Sequence, residues 1–265
     1  MSKLICNVFA ICLLFSVLFA DSVVAQSNYT VIKVYGNISL QKSKKELSQG
    51  DQFSEKDVLV FRDEESKAVV INSAKGRFFI TPPSSTNLAS KSSFVPAMSN
   101  VSSRSGGLIS IIDLKNYFDG NFLILNRIKI NINHELFPMN DTSFFFLRYV
   151  YKGEIINKKL DFMGDSLLID KEALFTVDGK PIPNPDISDM KLYYYSSKQA
   201  ALINEFEPVF PDMDALKIEI KLILSVLEGK SSEEKMDEII SYLNENYGKS
   251  NRENVVSWMK KNFDL

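Results

Sequence analysis

Gly164-Asp165-Ser166-Leu167 comes nearest in this chain to a catalytic motif, a serine placed after a glycine turn and beside a carboxylate. A serine hydroxyl is a poor nucleophile at neutral pH and needs a base within hydrogen-bond reach. The chain has one histidine, His134, upstream of that serine in Asn133-His134-Glu135. A lone imidazole, with no second imidazole or thiolate to join it, does not complete a histidine-based metal site. Asp161, Asp165 and Asp170 are spaced too loosely for a calcium loop, which needs acids at alternate positions, a glycine and a closing glutamate. No phosphate-cradling glycine loop of either common kind occurs. A carboxylate pair for glycoside hydrolysis can be drawn from distant loops, and no particular pair is singled out. The residues therefore predict no catalytic residue, no metal site and no cofactor. Gly164-Asp165 reads as a turn, Ser166 as the start of a strand with its hydroxyl on backbone or water, and His134 as a loop histidine.

The tetrapeptide resembles the signature of the GDSL hydrolases. In that family the serine lies near the mature N-terminus, after a buried strand, and a downstream Asp-x-x-His supplies the base. Here the histidine precedes Ser166, no Asp-x-x-His occurs, and hairpins flank the motif. A GDSL-type serine hydrolase stands as the remote alternative to a non-catalytic protein.

The aromatic residues are the other candidate. Phe144-Phe145-Phe146, Tyr149, Tyr151 and Tyr193-Tyr194-Tyr195 offer a platform for stacking sugars or gripping a protein, because tyrosine is rigid and amphipathic. Successive residues of a strand point to opposite faces, so at most about half of each run shares one surface. Lys75 and Arg77, flanking Gly76 at a hairpin tip, form a small basic point. Tyr149, Tyr151, Tyr193, Tyr194, Tyr195, Lys75 and Arg77 are the candidate ligand-binding residues.

The elements that must position these groups follow from periodicity. Lys3, the apolar run Leu4 to Ala20 and the small residues of Val23-Val24-Ala25 predict an export signal over 1–25, cleaved before Gln26. Both cysteines, Cys6 and Cys12, fall inside it, so the mature chain has neither a disulfide nor a thiolate site. The net charge of −2 is unchanged by its removal, which gives no reason to expect nucleic acid as a partner. From Tyr29 to Thr81, short runs rich in Val, Ile and Phe alternate with Gly, Asp and Lys clusters, predicting a compact β-domain over 26–83. A Ser-rich linker is expected over 84–106, with Phe94-Val95-Pro96 docking locally.

An antiparallel β-unit of β-sandwich type is expected over 107–211. Its predicted strands include Leu108 to Ile112, the alternation Ile128, Ile130, Ile132, the run Phe144 to Tyr151, Leu167 to Ile169, Leu174 to Val177 and Lys191 to Ser196. Asp113 to Phe118 reads as a helical turn or loop. Pro181, Pro183 and Pro185 predict an extended loop, and Ala200 to Phe206 fits either a strand or a short helix. From Met213 the apolar period becomes 3.6 residues. Asp212, Ser231-x-x-Glu234 and Ser250-x-x-Glu253 supply caps for three helices over 212–265.

Val31-x-x-Val34-x-Gly36, Gly50-Asp51, Asp57, Ala68-Val69-Val70-Ile71 and Gly76 resemble the periplasmic β-domain of FecR-like proteins. Gly36 and Gly50 suit turn positions with φ > 0, and Asp51 is placed to bond the turn backbone. The resemblance implies a periplasmic β-fold and no catalytic residues. FecR's inner-membrane helix after a cytoplasmic segment has no counterpart, so its signalling mechanism does not carry over. The sequence as a whole predicts an α+β protein, mainly antiparallel β in two units followed by a C-terminal three-helix subdomain. The expected function is an exported non-catalytic binding or assembly module, periplasmic or secreted, with no transmembrane anchor after cleavage. Its partner would be an envelope or secreted protein of a bacterium; the alternative is a carbohydrate-binding or surface-adhesion protein that takes a glycan.

Overall fold

The computed structural model describes residues 28–83, 93–97, 110–182 and 189–265. The expected export signal, Leu108, Pro183, Pro185 and most of the Ser-rich stretch lie outside the described residues. The architecture is α+β, mostly antiparallel sheet with three C-terminal helices. It divides into two compact units, Met1–Pro96 and Ala97–Leu265. No helix of the described residues is long and apolar enough to cross a membrane.

In the first unit the apolar runs become β1 (Asn28–Tyr35), β2 (Ile38–Leu40), β3 (Gln52–Ser54), β4 (Leu59–Phe61), β5 (Lys67–Asn72), β6 (Gly76–Thr81) and β7 (Ser93–Pro96). Five of them form a sheet in the order β3-β1-β5-β6-β7, and β2 pairs with β4. Tyr29, Val31, Ala68, Val70 and Ile80 share a core with Ile38, Leu47 and Leu59. The turns work as their residue types imply. Gly36 and Gly50 hold φ of +71° and +85°, and Asp51 Oδ2 accepts the Ser48 N–H at 2.9 Å. Within the Ser-rich stretch, Ser93–Pro96 pairs with β6, with Phe94 opposite Ile80. Phe94 lies 5.1 Å from the Tyr29 ring and 6.2 Å from Phe78. The apolar side chain of Phe94 joins the core of the first unit.

The second unit contains α1 (Ile111–Tyr117), β8 (Asn121–Leu123), β9 (Arg127–Asn131), β10 (Phe144–Tyr151), β11 (Glu154–Lys159), β12 (Asp161–Met163), β13 (Ser166–Asp170), α2 (Lys171–Leu174), β14 (Thr176–Val177), β15 (Lys180–Pro181), β16 (Met190–Ser196) and β17 (Gln199–Val209). One sheet runs β11-β10-β16-β17-β8, a second runs β12-β13-β9, and β14 pairs with β15. Phe145, Leu147, Tyr149, Leu192 and Tyr194 of the first sheet meet Ile128, Ile130, Leu167 and Ile169 of the second in a common core.

Two strand expectations fail in part for local reasons: Thr176–Val177 is strand, but Ile111, Ile112 and Leu174 are helical. Ile111 and Ile112 open a helix because the Ser110 side chain accepts the Asp113 N–H. Leu174 ends a helical turn because Asp170 accepts the N–H groups of Glu172 and Ala173. In both cases a short polar side chain captures the orphan amides of a helix start and overrides β-propensity.

The chain closes with α3 (Met213–Val226), α4 (Ser232–Tyr247) and α5 (Arg252–Phe263). Leu216, Ile220, Ile223, Met236, Ile239, Ile240, Leu243, Val255 and Met259 are buried, following the apolar stripes. Asp212 caps α3, and Ser231 with Glu234 forms a full capping box on α4. The cap of α5 is Asn251, not Ser250. Ser250 instead donates its hydroxyl and its N–H to the Asn244 side chain. The helices belong to the same unit as the sheets: Lys249 bridges to Phe122 of β8 in parallel.

The backbone N–H and hydroxyl of Ser231 hold the Glu234 carboxyl down to about 2. A carboxylate whose folded pKa is depressed stabilises above its unfolded pKa and loses that contribution as pH falls through the folded value. Glu234→Gln is therefore expected to narrow its stability deficit relative to the parent chain as pH falls from about 5 to about 2. Urea denaturation at a series of pH values checks this; a deficit independent of pH would remove the capping carboxylate from the account.

Candidate functional site

Pairing of β13 with β9 brings together two groups the sequence kept apart. Ser166 lies opposite Asn131 in that ladder, and β9 runs on into the loop carrying His134. Asn131, Ile132, Asn133, His134, Glu135, Asp165 and Ser166 line an open cleft of about 680 Å³. His134 Nδ1 lies 3.2 Å from Asp165 Oδ1, and both side chains are well exposed.

Ser166 is buried, and its Oγ donates to the side chain of Asn131, at Oδ1, at 2.9 Å. A carboxamide oxygen accepts a hydrogen bond but is no base, so this contact fixes the hydroxyl without activating it. The imidazole's observed contact is to Asp165. Gly164 holds φ +57° at the hairpin between β12 and β13, as its place in a turn implies. Among the described residues no three His, Cys, Asp or Glu side chains are grouped to hold a metal ion.

Ser166→Ala should accordingly cost about 1 kcal/mol, the worth of one hydrogen bond, measured by urea denaturation. A fluorophosphonate probe should leave Ser166 unlabelled, and short-chain esters should not be turned over. Labelling at Ser166, or turnover lost in both Ser166→Ala and His134→Ala, would restore the hydrolase.

The tyrosines separate by strand parity. Tyr149 and Tyr194 point inward and are buried. Tyr149 OH donates to Leu174 O at 2.5 Å, and Tyr194 OH to Pro138 O at 2.9 Å. Burial pushes both phenols above their ordinary range. Tyr151 packs against the same core. Tyr149 and Tyr194 are thus core residues, a correction to the ligand set, while Tyr151 is half-buried with Lys152 5.4 Å over its ring. The basic point at the β5–β6 hairpin dissolves as well. Arg77 is buried in β6, and Lys75 is paired with Glu55.

Tyr193 and Tyr195 stay on the outer face, where the β10–β16 register sets them opposite Phe146 and Phe144. The Phe146 and Tyr193 rings lie 4.9 Å apart at 7°, and those of Phe144 and Tyr195 5.0 Å apart at 27°. The Arg148 guanidinium sits 4.7 Å from the Tyr193 ring centre, and its Nε donates to Asn157 at 2.7 Å. Lys159 sits 4.7 Å from the centre of Phe144.

A sugar stacks on a flat ring face that is free. In this ladder one face of each ring is given to its cross-strand partner, and cations approach Tyr193 and Phe144 as well. What remains outward is ring edges, phenol groups, cations and the exposed Val150, Ile155 and Leu202. Arg148 and Lys159 were absent from the expected site. The alternation of β10 and β11 placed them on this face, but only the strand register sets them beside the rings. No protein-family model, curated protein or solved structure matches this chain.

Proposed function

We propose that this protein is an exported, non-catalytic binding module that grips a protein partner with the outer face of the β11-β10-β16-β17 sheet. The export reading rests on the N-terminal segment with its positive start, apolar run and small-residue end. One observation supports the binding reading most: the half-buried Phe144, Tyr193 and Tyr195 form a pre-ordered ladder over the buried Phe146, with Arg148 and Lys159 against the rings. Rigid aromatics with arginine are the residue types that dominate protein interfaces, since little side-chain entropy is lost when they are covered. The cleft at Ser166 supports the same reading, because its hydroxyl is held by an amide.

The test compares immobilised full-length chain with its Arg148→Glu/Lys159→Glu variant, each exposed to envelope and secreted proteins of the native host. Retention of a discrete protein by the parent and its loss in the variant, unaffected by periodate oxidation of glycans, is expected. Retention abolished by periodate would favour the glycan alternative, and retention insensitive to the variant would move the site elsewhere.

A further inference from the structure

One row of side chains across the outer sheet face is electrostatically unfinished. The strand registers set Asn157, Arg148, Lys191 and Glu205 side by side on β11, β10, β16 and β17. Arg148 and Lys191 stand directly opposite one another, and like charges so paired repel. Lys191 is answered by Glu205, whose Oε2 lies 3.4 Å from its Nζ. Among the described residues no carboxylate pairs with Arg148. Its guanidinium is nevertheless held in place, by the Nε bond to Asn157 at 2.7 Å and by the Tyr193 ring 4.7 Å away. Half-buried and oriented in this way, the group keeps its terminal N–H donors for something else. Two parallel N–H donors match the two oxygens of a carboxylate.

Apolar groups border this row on both sides along the strands. One neighbouring row holds Phe146 opposite Tyr193, and the other holds the exposed Val150 opposite the exposed Ile155. A carboxylate brought to Arg148 is therefore shielded from water, where a charged pair is stronger than in the open.

We infer that the partner presents an acidic side chain to Arg148, beside an apolar side chain that covers Val150 and Ile155. The carboxylate takes the guanidinium fork and lies next to Lys191, so binding turns a repulsion between two cations into a shared attraction. A sulfated or phosphorylated polymer calls for a run of unpaired cations. Here Lys191 has Glu205, and Lys159 has Asp141 at 3.5 Å. The complement of this row is a single carboxylate in apolar surroundings, which an acidic protein segment supplies. Such a segment presupposes the protein-binding face proposed above and adds the chemistry of what that face takes.

The test selects a phage-displayed library of random peptides on immobilised full-length chain and, in parallel, on its Arg148→Glu variant. Parent-selected peptides should be enriched in Asp or Glu next to an apolar residue, and variant-selected peptides in Lys or Arg. A synthetic copy of the leading parent-selected peptide should bind Arg148→Lys about tenfold more weakly, because an ammonium lacks the planar fork. Its binding should also weaken as salt rises from about 0.1 M to about 1 M, which shortens the screening length from about 10 Å to about 3 Å. Peptides weakened by Val150→Ser/Ile155→Ser but carrying no acidic excess would overturn the inference and leave the protein-binding face standing. Recovery of no peptide sensitive to either variant would overturn both. Tighter binding of heparin than of any selected peptide, lost in Arg148→Glu, would overturn the inference in favour of an anionic glycan.

Discussion

Gly248→Ala is expected to destabilise the second unit by about 3 kcal/mol or more, out of proportion to one added methyl group. Gly248 ends α4 with φ +100°, a conformation that side chains other than hydrogen rarely adopt. A Cβ there would also lie 2.4 Å from Asn121 O and 2.7 Å from Asn121 C. Those are backbone atoms, so no flexible side chain can move aside. The contact is tight because the helices join the sheet at this point. Lys249 N donates to Asn121 O at 2.7 Å, and Leu123 N donates to Lys249 O at 2.9 Å. Gly153→Ala is the control: φ is +82° at the β10–β11 turn, but nothing lies within 4 Å of the added atom. It should cost about 1 kcal/mol, the backbone penalty alone. Urea denaturation of both variants decides; equal costs would mean that the close approach at Asn121 contributes nothing.

Phe118→Ala is the second large effect, about 3–5 kcal/mol, as for a large aromatic removed from a core that cannot collapse. Phe118 is fully buried, with ring centres at 5.0 Å to each of Tyr117, Phe122 and Phe206. Its carbonyl also accepts from Asn204, so the residue ties α1 to both β8 and β17. Loss of the ring leaves a cavity among three others. Ile112→Ala, six residues earlier on the exposed side of α1 at 68% exposure, should fall within about 0.5 kcal/mol of the parent. A Phe118→Ala chain as stable as Ile112→Ala would remove α1 from the core.

The contrast between these two residues shows where the sequence was legible. Periodicity revealed α3 to α5, because their stripes repeat at 3.6 residues and Asp212 and Ser231 announce the starts. It also revealed β10, an unbroken apolar and aromatic run ending at Lys152-Gly153. It misplaced α1, where Ile111 and Ile112 favour a strand and a single hydroxyl, Ser110, decides for helix. At α5 two cap residues adjoin, and the Ser250-x-x-Glu253 spacing pointed to the wrong one. The Asn251 side chain reaches the Asn254 N–H while Ser250 is held by Asn244.

The candidate site was less legible because it depends on register. That Tyr193 and Tyr195 cannot share a face with Tyr194 follows from alternation alone. That they stack on Phe146 and Phe144, with Arg148 and Lys159 alongside, depends on which residue of β16 lies opposite which residue of β10. The meeting of His134 with Asp165 depends in the same way on β9 and β13.

The most direct measurement of the central claim is site-specific photo-cross-linking in the native host. A benzophenone amino acid is placed at Val150, on the outer face and 58% exposed, and separately at Ile218 of α3, 50% exposed. The account predicts a discrete protein adduct at position 150, lost when Arg148 is changed to glutamate, and none at position 218. No adduct at 150, or the same adduct from both positions, would contradict it.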